Sequence, residues 1–291
     1  MKWKEKLIES FLVFSGSIGI LTTLGIITVL LYEAVQFFSE VSIVDFLTDT
    51  EWTPLFANKR FGIMALLSGT LLTTLIAIVI ALPLGLIIAI YLSEYADSRL
   101  RAYIKPLLEV LASIPTVVYG FFALTVVTPF LQKFIPELAG FNALSPGIVM
   151  GVMIIPLISS LSEDALYAVP RSLREGAYAL GSSKLQTSFR VVLPAASSGV
   201  VVSVILAISR ALGETMIVAI AAGQQPRLTF NPLVPIETVT TYIVQVSLGD
   251  VPQNSLEYKT IFAAGLSLFV FTFILNNISY FIKKKYTQKY E

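Results

Sequence analysis

The chain has 291 residues, of which 55% are hydrophobic and 13% charged, and its mean hydropathy of +0.80 excludes an ordinary soluble domain. It contains no cysteine and no histidine, which excludes disulfides, thiolate chemistry, His-based general bases, the usual His zinc ligands and Ser–His dyads. The formal net charge of +1 says nothing about partners, so the distribution of charge has to be read instead.

Six apolar stretches run along the chain, at about 11–36, 64–92, 106–131, 145–162, 197–222 and 260–282. A helix crossing the hydrocarbon core needs about 20 apolar residues. The expected fold is therefore all-α and integral to a membrane, one domain over 1–291 with six transmembrane helices. The first stretch follows Lys2, Lys4 and Lys6, but the run from Phe11 to Phe38 is too long for a signal core and no A-x-A-like site follows it. It is read as an uncleaved anchor. The loop from Phe37 to Ile63 carries Glu40, Asp45, Asp49 and Glu51 beside Trp52. That loop either meets an external partner or is a solvated connector with an aromatic anchor.

Pro83, Pro115 and Pro156 are expected to kink their spans, as membrane helices tolerate. Glu109, three residues after Pro106, is expected in a first helical turn, where the helix dipole favours it. Gly147 and Gly151 form a small-xxx-small pair that predicts a packing seam in the fourth span. No Asp is expected inside any span.

The connector from Glu163 to Pro194 is patterned for structure. Pro170 suits a first helical turn, and Leu173, Ala177 and Leu180 then share a face. Gly181 can end that helix in a left-handed conformation. Ser183 with Gln186 makes a capping box for a second helix, on which Leu185, Phe189 and Val192 share a face. Two short amphipathic helices bent at a glycine either fit a groove on a soluble protein or lie on lipid headgroups.

The fifth span carries two charges, Arg210 and Glu214. Each costs roughly 2.5–3.5 kcal/mol at mid-bilayer, so both are expected to face protein or water. Their i,i+4 spacing predicts a pair on one face. The pair is either structural or handles an anion, since a guanidinium is always charged and its fork suits phosphate oxygens. In the second case Glu214 would release Arg210 to the anion or keep anions from binding too tightly. Gly213 between them is expected to admit a neighbouring backbone. The last outer loop, Gly223 to Lys259, is rich in Pro and Thr, and 236–247 predicts a short interfacial or re-entrant helix.

Basic residues sort to one side. The N-terminal tail holds Lys2, Lys4 and Lys6, and the second loop Arg99, Arg101 and Lys105. The fourth loop holds Arg171, Arg174, Lys184 and Arg190, and the C-terminal tail Lys283, Lys284, Lys285 and Lys289, 14 in all. The opposite loops hold five, Lys59, Arg60, Lys133, Arg227 and Lys259. The positive-inside rule then predicts cytoplasmic termini and an even number of spans.

Glu175-Gly176-Ala177, three residues, Gly181, nine residues, Val191, one residue and Leu193-Pro194 resemble the EAA loop of ABC importer permeases, with Gly176 and Val191 replacing the usual alanine and isoleucine. Arg210-Ala211-Leu212-Gly213-Glu214-Thr215-Met216 resembles the R-A-L-G-E-T motif of phosphate permeases, and its Met216-Ile217-Val218 continuation is similar to the PstC type. Phe46-Leu47-Thr48 with Glu51-Trp52, Pro83-Leu84-Gly85, and Ile114-Pro115 with Val117-Val118-Tyr119-Gly120 extend the resemblance over nearly the whole chain.

The resemblance implies a type I ABC importer permease (MetI-like) fold with its core at about 64–282 and a coupling loop at about 163–194. It implies that Glu175, Gly176, Ala177, Gly181, Leu193 and Pro194 couple to an ATPase, and that Arg210, Gly213, Glu214 and Thr215 lie on the substrate path. The partners it implies are a PstA-like second permease, two ATP-binding PstB-like subunits and an external PstS-like phosphate-binding protein, in a lipid bilayer. No cofactor, metal or nucleic acid is expected. The chain has no G-x-x-x-x-G-K-[ST], so it would borrow its energy from a partner. A membrane enzyme lacks a nucleophile or metal cluster here, and a self-contained channel or carrier would leave the EAA-like loop without a purpose. A permease for another oxyanion, such as molybdate or sulfate, is the alternative to phosphate.

Overall fold

The computed structural model describes residues 2–253 and 255–286, so Lys289 of the C-terminal tail lies outside the described residues. The helices, in chain order, are α1 (Lys2–Glu40), α2 (Ile43–Thr48), α3 (Met64–Ile90), α4 (Ser98–Ser113), α5 (Thr116–Phe122), α6 (Thr128–Gln132) and α7 (Leu144–Tyr167). There follow α8 (Arg171–Ala179), α9 (Lys184–Thr187), α10 (Leu193–Ala195), α11 (Ser197–Leu212), α12 (Met216–Ala221), α13 (Val239–Leu248) and α14 (Leu256–Tyr286). Short π-helical segments at Tyr91–Tyr95, Ala123–Val127 and Ser188–Val192 extend or join α3, α5–α6 and α9–α10. Among the described residues the extended pairing is limited to isolated bridges, Trp52 with Phe61 and Gly223 with Ile236.

Among the described residues four helices, α1, α3, α7 and α14, are long and apolar enough to span a membrane, and two bent pairs bring the number to as many as six. The expected third span is one such pair. Its helices α4 and α5–α6 meet at 83° around Ile114 and Pro115, because the proline cannot donate to the ladder and its predecessor is pushed out of helical geometry. The expected fifth span is also divided. A 74° bend at Ala196 separates α9–α10 from α11, and a second break at Gly213–Thr215 separates α11 from α12. With 16 residues, α11 is only about 24 Å long, less than the ~30 Å hydrocarbon core. By contrast, α3 and α7 run through Pro83 and Pro156 without interruption.

The pair α3 and α7 forms the centre of the fold. A Cβ at Gly147 would meet Ile76 Cγ2 at 2.8 Å and one at Gly151 would meet the Ala77 carbonyl oxygen at 3.0 Å, so the expected seam is present and α3 is what packs into it. Small residues allow this backbone approach where no hydrophobic effect drives helices together. On the other side α11 packs against α7, α3 and α14, and α14 also packs along α1. The helix α7 extends five residues past the expected span, so Glu163 and Asp164 belong to it and not to the connector.

At the end of the bundle that carries α2, Trp52 is buried (1% exposed) and stands edge-on to Tyr242 with ring centroids 5.0 Å apart. It is a core residue, so it is not the aromatic interface anchor expected of it. The connecting segment between α12 and α13 turns at Gly223 (φ 94°) and Gln224 (φ 50°), and α13 realises the expected short helix. Within that segment Glu237 is buried and its Oε1 has no hydrogen-bond partner, and burial pushes its carboxyl up to about 8. Its carbonyl oxygen lies 2.3 Å from where a Cβ at Gly69 would sit, so the segment is pressed onto α3.

Candidate functional site

Two groups of residues singled out by the sequence lie in different parts of the fold. The connector forms a knob at one end of the bundle, and Arg210 lies on a cavity wall within it.

In the knob, Pro170 is the residue before α8 and not part of its first turn. The helix ends in a Schellman arrangement: Gly181 adopts φ 80°, its N–H donates to the Tyr178 carbonyl (2.9 Å), and the Ser182 N–H donates to that of Ala177 (3.1 Å). Ser183 and Gln186 form the expected reciprocal capping box at the start of α9. The apolar faces are used differently from the pattern. Leu173 packs inward on the cluster that contains Val192, and Ala177 is buried, whereas Leu180, Leu185 and Phe189 point out, Leu180 being 90% exposed. Glu175 is exposed, and open space surrounds the position a Cβ would take at Gly176, so an alanine would fit there. Leu193 and Pro194 begin α10, just before the bend into α11.

Ionic contacts that local spacing does not reveal hold the knob and its neighbour helix. Arg174 of α8 donates through Nη2 to Glu94 Oε1 (2.7 Å), and through Nη1 and Nη2 to the carbonyls of Val169 (2.6 Å) and Leu166 (2.9 Å). On α7 the buried Glu163 pairs with Arg101 and, at 2.8 Å, with Lys105 of α4, and Lys105 also reaches Asp164 at 2.7 Å. The signal available in the sequence was the i,i+4 spacing of Arg101 and Lys105, which sets two cations on one face of α4.

At the break after α11, the expected Arg210–Glu214 pair is not formed among the described residues. The helix stops at Leu212, so the four-residue spacing no longer sets the two side chains on a common face. Glu214 is buried (8% exposed), and its Oε1 accepts the backbone N–H groups of Met216 (3.1 Å) and Ile217 (3.4 Å), the free donors at the start of α12. Thr240 Oγ1 of α13 donates to the Glu214 carbonyl at 2.9 Å and so ties down the break. Thr215 donates to the Gly213 carbonyl at 3.3 Å. Gly213 adopts φ −90°, and nothing but carbonyl oxygens of its own helix lies within 4 Å of a Cβ there, so no neighbouring backbone approaches it. A carboxylate beside the free N–H groups of a helix start is satisfied locally, and this competes with the distant arginine.

Arg210 is exposed and faces a cavity of about 280 Å³ between three helices. The walls include Glu109 and Ala112 of α4 and Pro156, Leu157 and Ser160 of α7. Glu109 was expected in a first turn, but α4 begins at Ser98, well before Pro106, which places Glu109 in the fourth turn.

Residues 81–288 match the family described as binding-protein-dependent transport system inner membrane component. The probable ABC transporter permease protein YqgH of Bacillus subtilis is 35% identical over 234 residues, covering 80% of this chain and 75% of that protein. The phosphate transport system permease protein PstC of Xylella fastidiosa is 35% identical over 250 residues, with 79% and 75% covered. Among solved structures, a bacterial alginate ABC transporter in complex with an alginate pentasaccharide-bound periplasmic protein superposes with a TM-score of 0.60 at 16% identity, covering 98% of both chains. The MetNI methionine ABC transporter in an inward-facing conformation gives 0.57 at 17% identity, over 78% of this chain and 95% of that one. These two likenesses concern the fold alone.

Proposed function

We propose, from the premise that the chain belongs to the family of binding-protein-dependent transport system inner membrane components, that it is the PstC-type permease subunit of an ATP-driven importer of inorganic phosphate. The observation that carries the reading to an anion is Arg210: a permanently charged fork on the wall of an otherwise mostly apolar cavity, in ion-pair contact with no carboxylate among the described residues. A charge left there without an internal partner is costly unless water or a permeating anion meets it.

The mechanism follows from the two groups of residues. ATP binding in a PstB-like pair would pull the knob formed by α8 and α9, with exposed Leu180, Leu185 and Phe189 as the apolar contacts in the ATPase cleft. Arg174 and its Glu94 partner pass that pull to α3. The bends at Ala196 and Pro115 let α11 and α4 swing, so that the cavity at Arg210 opens to alternate sides. A PstA-like permease completes the path, and a PstS-like protein delivers phosphate at the end bearing α2. The excess of basic residues argues for both termini and the knob in the cytoplasm.

The test is uptake of labelled phosphate by proteoliposomes holding the complete transporter, with the external binding protein and ATP supplied. Arg210→Gln should abolish uptake while the ATPase subunits stay bound, and excess sulfate or molybdate should not compete in the unmodified transporter. Full uptake by the Arg210→Gln transporter would sink the assignment of Arg210, and competition by sulfate or molybdate would replace phosphate with another oxyanion.

A further inference from the structure

We infer that Glu109 is the carboxylate that competes with the permeating anion for Arg210 and drives its release. The inference rests on the reading of Arg210 given above.

Arg101, Lys105, Leu108 and Ala112 of α4 form one helical stripe, and three of them are fastened to or buried against the rest of the protein. Arg101 and Lys105 have their charge met by Glu163 and Asp164. Arg99 stands ten residues before Glu109, about 15 Å along the helix, so Glu109 has no free cation within reach on its own helix. It stands four residues after Lys105 and beside Leu108, at the edge of the stripe, exposed on the same cavity as Arg210. The two groups are not within ion-pair distance of each other, and the cavity of about 280 Å³ holds a tetrahedral oxyanion with several waters of about 30 Å³ each.

The remaining walls are mostly apolar, which strengthens any charge interaction across the space. With the cavity open, Arg210 binds phosphate oxygens and Glu109 repels them, so the anion is held loosely. As α4 moves toward α11 the carboxylate reaches Arg210, takes over its N–H donors, and the phosphate leaves. Glu214, the residue expected from its spacing to play this competing role, has its carboxyl occupied by the start of α12.

The experiment uses the complete membrane complex purified into nanodiscs without its external binding protein, with labelled inorganic phosphate as the probe. The Glu109→Gln complex should retain phosphate at least tenfold more tightly than the unmodified one. Its maximal uptake rate in proteoliposomes should fall at least fivefold, and Glu109→Asp should recover both properties. Glu109→Gln combined with Arg210→Gln should retain no phosphate. Unchanged retention in Glu109→Gln overturns the role of Glu109 and leaves Arg210 untouched. Retention that persists in the double variant overturns instead the reading of Arg210. Failure of the Glu109→Gln complex to assemble also overturns the inference, because the carboxylate would then be holding structure rather than facing an anion.

Discussion

Arg174 and Glu94 lie 80 positions apart in the chain, yet their side chains meet at 2.7 Å with 15% and 4% exposure. This contact joins the knob to the end of α3, and the same guanidinium also donates to two carbonyls around the end of α7. A single side chain thus fastens the first knob helix to two spans, which gives force on the knob a rigid route into the bundle.

Arg174→Ala should separate the knob from the spans. It leaves the buried Glu94 carboxylate unpaired, and removing one partner of a buried pair costs about 3–5 kcal/mol. The expected outcome is a lower unfolding temperature of the purified complex and loss of ATP-dependent phosphate uptake. Arg174→Lys should recover only part of either, since lysine cannot supply the fork that serves a carboxylate and two carbonyls together.

Gly181→Val should weaken ATPase docking through the backbone alone. The residue sits at φ 80° in open space, so no clash arises and the cost is that of a left-handed conformation, about 1–2 kcal/mol for a non-glycine residue. Gly181→Asn should be tolerated better, because asparagine enters that region more readily. Co-purification of the ATPase with each variant measures the difference, and equal recovery from both would separate the bend from docking.

Glu214 should behave as a helix cap and not as the partner of Arg210. Glu214→Gln keeps a carbonyl oxygen for the N–H groups of Met216 and Ile217 and should preserve most uptake. Glu214→Ala should lose about 0.5–2 kcal/mol of stability, as for other lost caps. Arg210→Gln with Glu214→Gln should be as inactive as Arg210→Gln alone. Recovery of uptake in that double variant would reinstate a structural pair.

Glu237 should make stability depend on pH. Its carboxyl titrates near 8 when folded and at the ordinary 4.5 when the segment is exposed. Between those values the unfolded chain has released a proton that the folded one still holds, so stability falls as pH rises through this window. The unfolding temperature of the complex should drop from pH 5 to pH 8, and Glu237→Gln should flatten that slope. An unchanged slope in the variant would assign the dependence to other groups.

The knob was largely legible in the sequence because its signals are local. The glycine at 181 and the capping box at Ser183 and Gln186 are set by the conformational limits of a few adjacent residues, and both formed as expected. The seam at Gly147 and Gly151 was legible for the same reason, although its filling by Ile76 and Ala77 was not. Leu180 shows where local periodicity failed. It shares the helical pattern of Leu173 and Ala177, but it lies past the end of α8, where the chain has already turned outward.

By itself the sequence determined that this is an apolar, multi-span helical protein and marked the knob, because hydropathy and capping act within a turn or two of chain. It offered Pro83, Pro115 and Pro156 alike as kinks, and the fold breaks at Pro115 while α3 and α7 continue through the other two. Only the tertiary structure decided which charges meet. Arg210 and Glu214 are four positions apart and separate, because the helix ends between them and the Glu214 carboxylate finds backbone donors closer by. Glu94 and Arg174 meet across 80 positions, as do Lys105 and Glu163 across 58. Glu109 and Arg210 reach one cavity from helices 101 positions apart. A charge in an apolar bundle takes whichever counter-group or helix end the packing brings within reach, and packing is a property of the whole chain.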